Sequence, residues 1–98
     1  MLWWTYQQLR VSSAKTRLAV VQKLVENRDQ DAAGPLIFAL NDKDAEVRCA
    51  ATKGLMKFKD RRAVEPLIKL LHDSLPAVRA AAAETLGHLS DPLAGNNL

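Results

Sequence analysis

Residues 29–59 read DQDAAGPLIFALNDKDAEVRCAATKGLMKFK, and residues 60–90 continue directly as DRRAVEPLIKLLHDSLPAVRAAAAETLGHLS. The two stretches align without a gap and are identical at 12 of 31 positions. A fixed period of this length is typical of stacked-repeat architectures, in which each copy buries its apolar face against the next. The repeat therefore predicts the fold before any local pattern is considered.

Each copy has the pattern of two amphipathic helices joined by a polar turn. In residues 29–59 the first helix is expected from about residue 30 to residue 40, because apolar residues recur there at helical spacing. Asp44 is placed to cap a second helix that runs to about residue 57. Pro35 and Pro66 remove a backbone N–H from their helices, so a bend or a delayed start is expected at both. Pro76 falls at the first position of a helix, where proline is tolerated.

Residues 1–28 form a further, divergent copy, which divides a single repeat array into copies at about 1–28, 29–59 and 60–90. Trp3, Trp4 and Tyr6 stand where the next copy has Gly, Pro and Ile, and we expect these aromatic residues to cover the open end of the core. Residues 91–98 have the pattern of a truncated fourth copy. Either this tail frays as a terminus or the chain is a piece of a longer array, and the lack of polar substitution on the outer face of the last full copy favours the piece.

Composition and motif content exclude several classes of protein. The chain has 98 residues, a net charge of +3 with interspersed signs, and one cysteine, Cys49. No apolar run approaches the ~20 residues of a membrane span, and the N-terminus lacks a signal-peptide pattern, so a cytoplasmic protein without a transmembrane segment is predicted. His72 and His88 lie in different predicted helices without further ligands. No nucleophile–base pair or phosphate-binding loop occurs, which predicts a non-enzyme with no catalytic residues, no metal site and no cofactor.

The pattern P-L-I-x-x-L-x-D-x-x-x-x-V-R-x-A-A-x-x-x-L occurs at residues 35–55 and again at residues 66–86. It resembles the HEAT repeat, in the short bacterial and archaeal form that is also found in phycocyanobilin-lyase-like proteins. The resemblance implies an all-α fold, an α-solenoid of stacked antiparallel helix pairs, with the second helices on the concave side. The same repeat serves scaffolds, lyases and nucleic-acid enzymes, so it leaves the function open.

The resemblance also implies a ladder of ion pairs between aspartates and arginines of the same or the adjoining copy. Its members are Asp42, Arg48, Asp73 and Arg79. Val11 replaces the aspartate in the first copy, so Arg17 is expected to lack a partner within its own copy. The arginine column could instead bind phosphate, but each of the later arginines recurs together with an aspartate, which favours the structural interpretation.

An uncharged strip crosses the second helices of all three copies, and we predict it as the partner-binding surface, with burial by close packing as the alternative. The proposed contact residues are Leu18, Val21, Val25, Cys49, Thr52, Lys53, Met56, Ala83 and Glu84. The leading hypothesis is a non-catalytic scaffold that binds another protein through its concave face, with self-association through the solenoid ends also open. The alternatives are a fragment of a bilin-lyase-like or DNA-glycosylase-like enzyme, with Glu84 as its concave carboxylate, and a weak nucleic-acid-binding module using the basic residues of KFKDRR.

Overall fold

A computed structural model describes residues 2–27 and 30–89 of the chain. Within these residues the fold is all-α, as predicted, and no strand occurs. The helices are α1 (Leu2–Val11), α2 (Ala14–Asn27), α3 (Ala33–Ala39), α4 (Ala45–Gly54), α5 (Val64–Leu70) and α6 (Pro76–Leu89). Short 3-10 turns occupy Gln30–Ala32, Leu55–Lys57 and Arg61–Ala63. The predicted start of a fourth copy, residues 91–98, lies outside the described residues.

Local chemistry sets the helix boundaries. Asp44 is extended and its side chain accepts hydrogen bonds from the N–H groups of Glu46 and Val47, so the predicted cap of α4 is confirmed. Pro35 lies in the first turn of α3, after a 3-10 turn. N–H groups in the first turn have no partner within the helix, so a proline there costs no intrahelical hydrogen bond. The first helix of this copy therefore starts later than residue 30. The second helix of this copy changes from α to 3-10 geometry at Leu55, two residues before its expected end.

The helices pack as consecutive hairpins, α1 with α2, α3 with α4 and α5 with α6. The second helices α2, α4 and α6 contact one another in chain order and form one layer, while α1 packs on α3 in the other layer. The core between the layers consists of aliphatic residues from all three copies. Its largest fully buried members are Leu36, Leu40, Leu55, Leu67, Leu89, Val21, Val47 and Val78.

Two second helices approach unusually closely at Gly54. A Cβ atom placed on Gly54 of α4 would overlap Cγ2 of Val25 in α2. Valine is stiff at χ1 and has no easy rotamer to relieve such an overlap. The absence of a side chain at position 54 is therefore what allows α2 and α4 to pack at this distance.

The N-terminal aromatic residues do not behave as a group. Trp3 and Trp4 are 70% and 59% exposed, so the prediction that they cover the end of the core is wrong for both. Tyr6 is half-buried and packs edge-to-face on Phe38, with ring centroids 5.5 Å apart. The Tyr6 hydroxyl also lies 2.7 Å from the position that a Cβ on Gly34 would take. Only the residue that faces α3 is drawn into the packing.

Candidate functional site

Arg17 joins the first hairpin to the second. Its Nε donates to Asp42 Oδ2 at 2.7 Å and its Nη2 donates to Asp42 Oδ1 at 3.0 Å, which is a two-pronged contact. Its Nη1 donates to the carbonyl of Ser12 in its own copy. The hydrogen bond to Asp42 raises the pKa of Arg17 and outweighs the opposing effect of burial. Arg17 therefore has its carboxylate partner in the adjoining copy, where the sequence offered none in its own.

Arg48 makes the same connection one copy later, with poorer alignment. Its Nη2 donates to Asp73 Oδ2 at 3.2 Å. Its Nε lies 2.9 Å from Asp73 Oδ1 but outside hydrogen-bond geometry, so that contact is an ion pair only. The Nη1 of Arg48 donates at 2.8 Å to the backbone carbonyl of Asp42 in its own copy. Each of these arginines thus takes a turn carbonyl from its own copy and a carboxylate from the next.

The ladder aspartates also shape the turns in which they lie. Asp42 Oδ1 accepts the N–H of Asp44 at 2.8 Å, and Asp73 Oδ2 accepts the N–H of Leu75 at 3.0 Å. Such local side-chain bonds hold the chain in a turn between the two helices of a hairpin. One carboxylate therefore fixes the hairpin turn and the position of the preceding copy together.

The pKa of Asp73 reflects these contacts. Burial alone would raise it. The hydrogen bonds from the Leu75 N–H and from Arg48, together with the charges of Arg48 and Arg79, act in the other direction and prevail, so the pKa of Asp73 lies below its ordinary value. The ladder therefore favours the ionised carboxylate.

Arg79 ends the ladder within the described residues. Its Nη1 donates to the carbonyl of Asp73 at 2.7 Å, which is the own-copy contact that Arg17 and Arg48 also make. No carboxylate of the described residues forms an ion pair with it, and the side chain is exposed. Among residues 2–27 and 30–89, Arg17 and Arg48 therefore have a carboxylate partner and Arg79 has only a backbone carbonyl.

The uncharged strip proposed as a partner surface is only partly a surface. Val21 and Thr52 are fully buried, and the prediction that these two residues are available to a partner is wrong. Thr52 donates to the Arg48 carbonyl at 2.7 Å, and its own carbonyl accepts Thr85 Oγ at 3.0 Å, so it lies between α4 and α6. The half-buried members are Leu18, Val25, Cys49 and Met56, and the exposed ones are Lys53, Ala83 and Glu84. Packing therefore encloses two of the nine predicted contacts fully and four in part.

A groove between α2 and α4 offers a different set of residues on the same layer. It has a volume of about 550 Å³ and is lined by Val21, Gln22, Val25, Glu26, Ala50, Lys53, Gly54 and Lys57. The exposed polar residues among these are Gln22, Glu26, Lys53 and Lys57, and we refer to them as the groove residues. Of the four, only Lys53 was among the predicted contacts. The 31-residue spacing that aligns Gln22 with Lys53, and Glu26 with Lys57, was the signal that could have found the others.

The remaining candidate chemistry does not assemble. In the described part of the chain no group of three His, Cys, Asp or Glu residues is placed to hold a metal ion. Arg62 of the basic loop forms an ion pair with Asp60, and the distance from Arg62 Nη2 to Asp60 Oδ2 is 2.6 Å. The charge of this loop residue is therefore already compensated. Among the described helices, none has both the length and the apolar character that a membrane crossing requires.

Comparisons with known proteins agree on the repeat. The family model described as HEAT repeats matches residues 4–87. No curated protein matches the sequence at a significant level. Among solved structures, the chain is similar to the complex of CpcE and CpcF of phycocyanin lyase from Nostoc sp. PCC7120, with a TM-score of 0.76 and 30% identity. The match covers 92% of this chain and 37% of that chain, so the present chain spans little more than a third of its neighbour.

Proposed function

This chain belongs to the HEAT-repeat family, and we propose that it is a non-catalytic scaffold that binds another protein along the layer formed by α2, α4 and α6. The observation that carries the proposal is that the polar residues of this layer fall into two sets, one paired within the fold and one exposed without partners among the described residues. Two arginine–aspartate pairs, Arg17 with Asp42 and Arg48 with Asp73, hold consecutive copies together. The side chains of the groove residues make no hydrogen bond or ion pair with any described residue.

The groove residues present charges of both signs at short range. Glu26 lies on α2, and Lys53 and Lys57 lie on α4 across the same groove. The equivalent exposed positions on α6 are Glu84 and His88. Such a mixed pattern selects a partner through complementary charges and repels partners of uniform charge. The acidic residues disfavour a polyanion such as nucleic acid, and a protein surface with alternating charges fits this face.

The sharpest test compares charge reversals on the two layers. Lys53→Glu combined with Lys57→Glu reverses the groove cations, while Lys69→Glu reverses an exposed cation on α5 in the other layer. Partners captured by the wild-type chain are quantified by mass spectrometry with each variant, after circular dichroism has shown equal helical content. We expect the groove variant to lose a specific protein that the Lys69 variant retains. If both variants captured that protein as well as the wild type, binding along this layer would be refuted.

The similarity to the phycocyanin lyase complex supports a second candidate, a lyase-like subunit that works together with another chain. The structure of that neighbour contains two different chains, CpcE and CpcF, and the present chain aligns over 92% of its own length. Incubation with phycocyanin tests this candidate directly. A change in the visible absorption of phycocyanin that depends on the present chain would favour the lyase-like role. If the spectrum is unchanged and the groove variant still loses its partner, the scaffold role is the one that is supported.

A further inference from the structure

A cavity lies where the first hairpin meets the second, away from the groove residues. Its volume is about 350 Å³, near the lower end of the range of sites that hold small ligands. Its lining comes from the last turn of α1, the first turn of α2, the end of α3 and the turn that follows α3. The lining residues are Leu9, Arg10, Arg17, Phe38, Asn41, Asp42 and Lys43. Both hairpins lie within the described residues, so the walls of the cavity do not depend on a copy that precedes or follows them.

Three of the lining residues belong to the structure of the repeat. Leu9 is buried in the core, and Arg17 and Asp42 form the buried ion pair that joins the two copies. The same residue types recur 31 positions later, as Leu40, Arg48 and Asp73. The other four lining residues are exposed, and we refer to Arg10, Phe38, Asn41 and Lys43 as the rim residues. Different residue types stand at the equivalent positions of the next junction, which are Asn41, Lys69, His72 and Ser74. The repeat therefore dictates the buried part of the cavity and not its rim.

The rim carries charge that the fold does not use. The side chains of Arg10, Asn41 and Lys43 make no hydrogen bond or ion pair with any described residue. Asp42 is the one carboxylate of the lining within the described residues, and both of its oxygens already accept hydrogen bonds from Arg17. Two uncompensated cations thus line the cavity, one from each hairpin.

Phe38 adds an aromatic surface to the same cavity. Its ring packs edge-to-face on Tyr6, with ring centroids 5.5 Å apart and ring planes at 85°. This contact leaves Phe38 41% exposed. A ring that is held in place and still accessible offers a surface on which a planar group packs at little entropic cost.

We propose that this cavity binds a small molecule that carries a phosphate monoester beside a planar ring. A phosphate monoester has about −1.5 to −2 charges at neutral pH, which matches two uncompensated cations better than the single charge of a carboxylate does. The planar guanidinium of Arg10 suits two-pronged phosphate binding, and the ammonium of Lys43 supplies a point charge. The amide of Asn41 provides a further donor. Phe38 packs against the ring of the ligand.

Titration of the isotope-labelled 98-residue chain, followed by nuclear magnetic resonance, tests the site with phenyl phosphate as the probe. We expect saturable shifts of the amide signals of the rim residues. Inorganic phosphate lacks the ring and benzoate lacks the second charge, so each should bind about two- to tenfold more weakly than phenyl phosphate. Arg10→Gln combined with Lys43→Gln should weaken the binding of phenyl phosphate by about tenfold or more.

A matched control removes the same charge elsewhere. Lys23→Gln combined with Lys69→Gln changes two exposed cations that do not line the cavity, and it should leave the affinity unchanged. Phe38→Leu separates the ring from the charge, because it should lower the affinity for phenyl phosphate to that for inorganic phosphate and leave the latter unaltered. Circular dichroism of each variant confirms that the helical content is retained.

Three results would overturn the proposal. The first is the absence of saturable shifts at the rim residues up to low millimolar phenyl phosphate. The second is an equal loss of affinity in the two double variants, which would mean general attraction to positive charge. The third is tighter binding of a phosphotyrosine peptide than of phenyl phosphate, which would assign the cavity to a protein ligand. The test is independent of partner capture along α2, α4 and α6, since none of the groove residues lines this cavity.

Discussion

Arg17 and Asp42 belong to consecutive hairpins and form a two-pronged ion pair whose side chains are only 6% and 5% exposed. The pair connects the start of one copy's second helix, at Arg17, to the turn between the two helices of the next copy, at Asp42. A buried pair of this kind adds little stability compared with an apolar substitute, but removal of one partner leaves a buried charge without compensation. The ladder therefore determines the register of stacking more than its strength.

Removal of an arginine from an ion pair should lower the free energy of unfolding more when the pair is more deeply buried. We expect Arg17→Met to lower the free energy of unfolding by about 3–5 kcal/mol, because Asp42 would remain buried and unpaired. Arg48→Met should cost roughly 1.5–3 kcal/mol, since Arg48 and Asp73 are 14% and 9% exposed and less well aligned. Urea denaturation measures both. Arg62→Met, at an exposed pair, serves as the control and should leave the midpoint unchanged. Three equal midpoints would contradict the ladder's role.

The lowered pKa of Asp73 predicts a loss of stability in acid. A carboxyl with a folded-state pKa below its ordinary value of 3.8 contributes stability above that value, and the contribution is lost as the pH falls through the lowered pKa. The pKa of Asp60 is lowered too, chiefly by its hydrogen bond from Arg62. Stability measured from neutral pH down to below pH 3.8 should therefore fall. Asp73→Asn should flatten part of that fall, and Asp60→Asn a separate part. If both variants lost as much stability in acid as the wild type, the result would be inconsistent with these interactions.

The close approach at Gly54 can be tested against a second helical glycine. We expect Gly54→Ala to destabilise the fold by about 1 kcal/mol, because an overpacking cost of about 1–3 kcal/mol exceeds the gain of about 1 kcal/mol in helix propensity. Gly87→Ala should instead stabilise the chain by about 0.5–1 kcal/mol, since a Cβ there meets nothing within 4 Å. Val25→Ala should cost less in the Gly54→Ala background than in the wild type. Additive effects of the two changes would show that the overlap is relieved elsewhere.

The difference in burial between Thr52 and Ala83 predicts opposite outcomes for the same substitution. Thr52→Lys places an ammonium group between α4 and α6 and should lower the free energy of unfolding by roughly 3 kcal/mol or more. Ala83→Lys, at the equivalent position of the third copy, should leave it within about 0.5 kcal/mol of the wild type. Thermal denaturation followed by circular dichroism distinguishes them. Tolerance of lysine at both positions would mean that the third hairpin does not cover the second.

The N-terminal aromatic residues should differ in their effect on stability. Trp3→Ser combined with Trp4→Ser should change the free energy of unfolding by no more than about 0.5 kcal/mol per site, because both side chains are largely in solvent. Tyr6→Ala should cost about 1–2 kcal/mol through the loss of its contact with Phe38. Chemical denaturation of the two variants and the wild type provides the comparison. A cost at the tryptophans equal to that at Tyr6 would restore the idea of an aromatic end cap.

The sequence by itself determined the all-α repeat, the helix pairs, the cap at Asp44 and the proline at the start of α6. The helix pairs, the cap and the proline depend on residues within one or two turns of each other, so a single copy contains the information for them. The 31-residue period then extends the prediction to the neighbouring copy. It did not determine which residues of the second helices remain on the surface.

Only the tertiary structure decided how one copy lies on the next. That offset gives Arg17 the carboxylate of Asp42 in the next copy, encloses Thr52, and leaves the groove residues and Arg79 exposed. A periodic pattern assigns the same role to equivalent positions, whereas burial depends on whether a neighbour covers the position. Residues that are identical in sequence, such as Arg48 and Arg79, therefore acquire different roles because the packing around them differs.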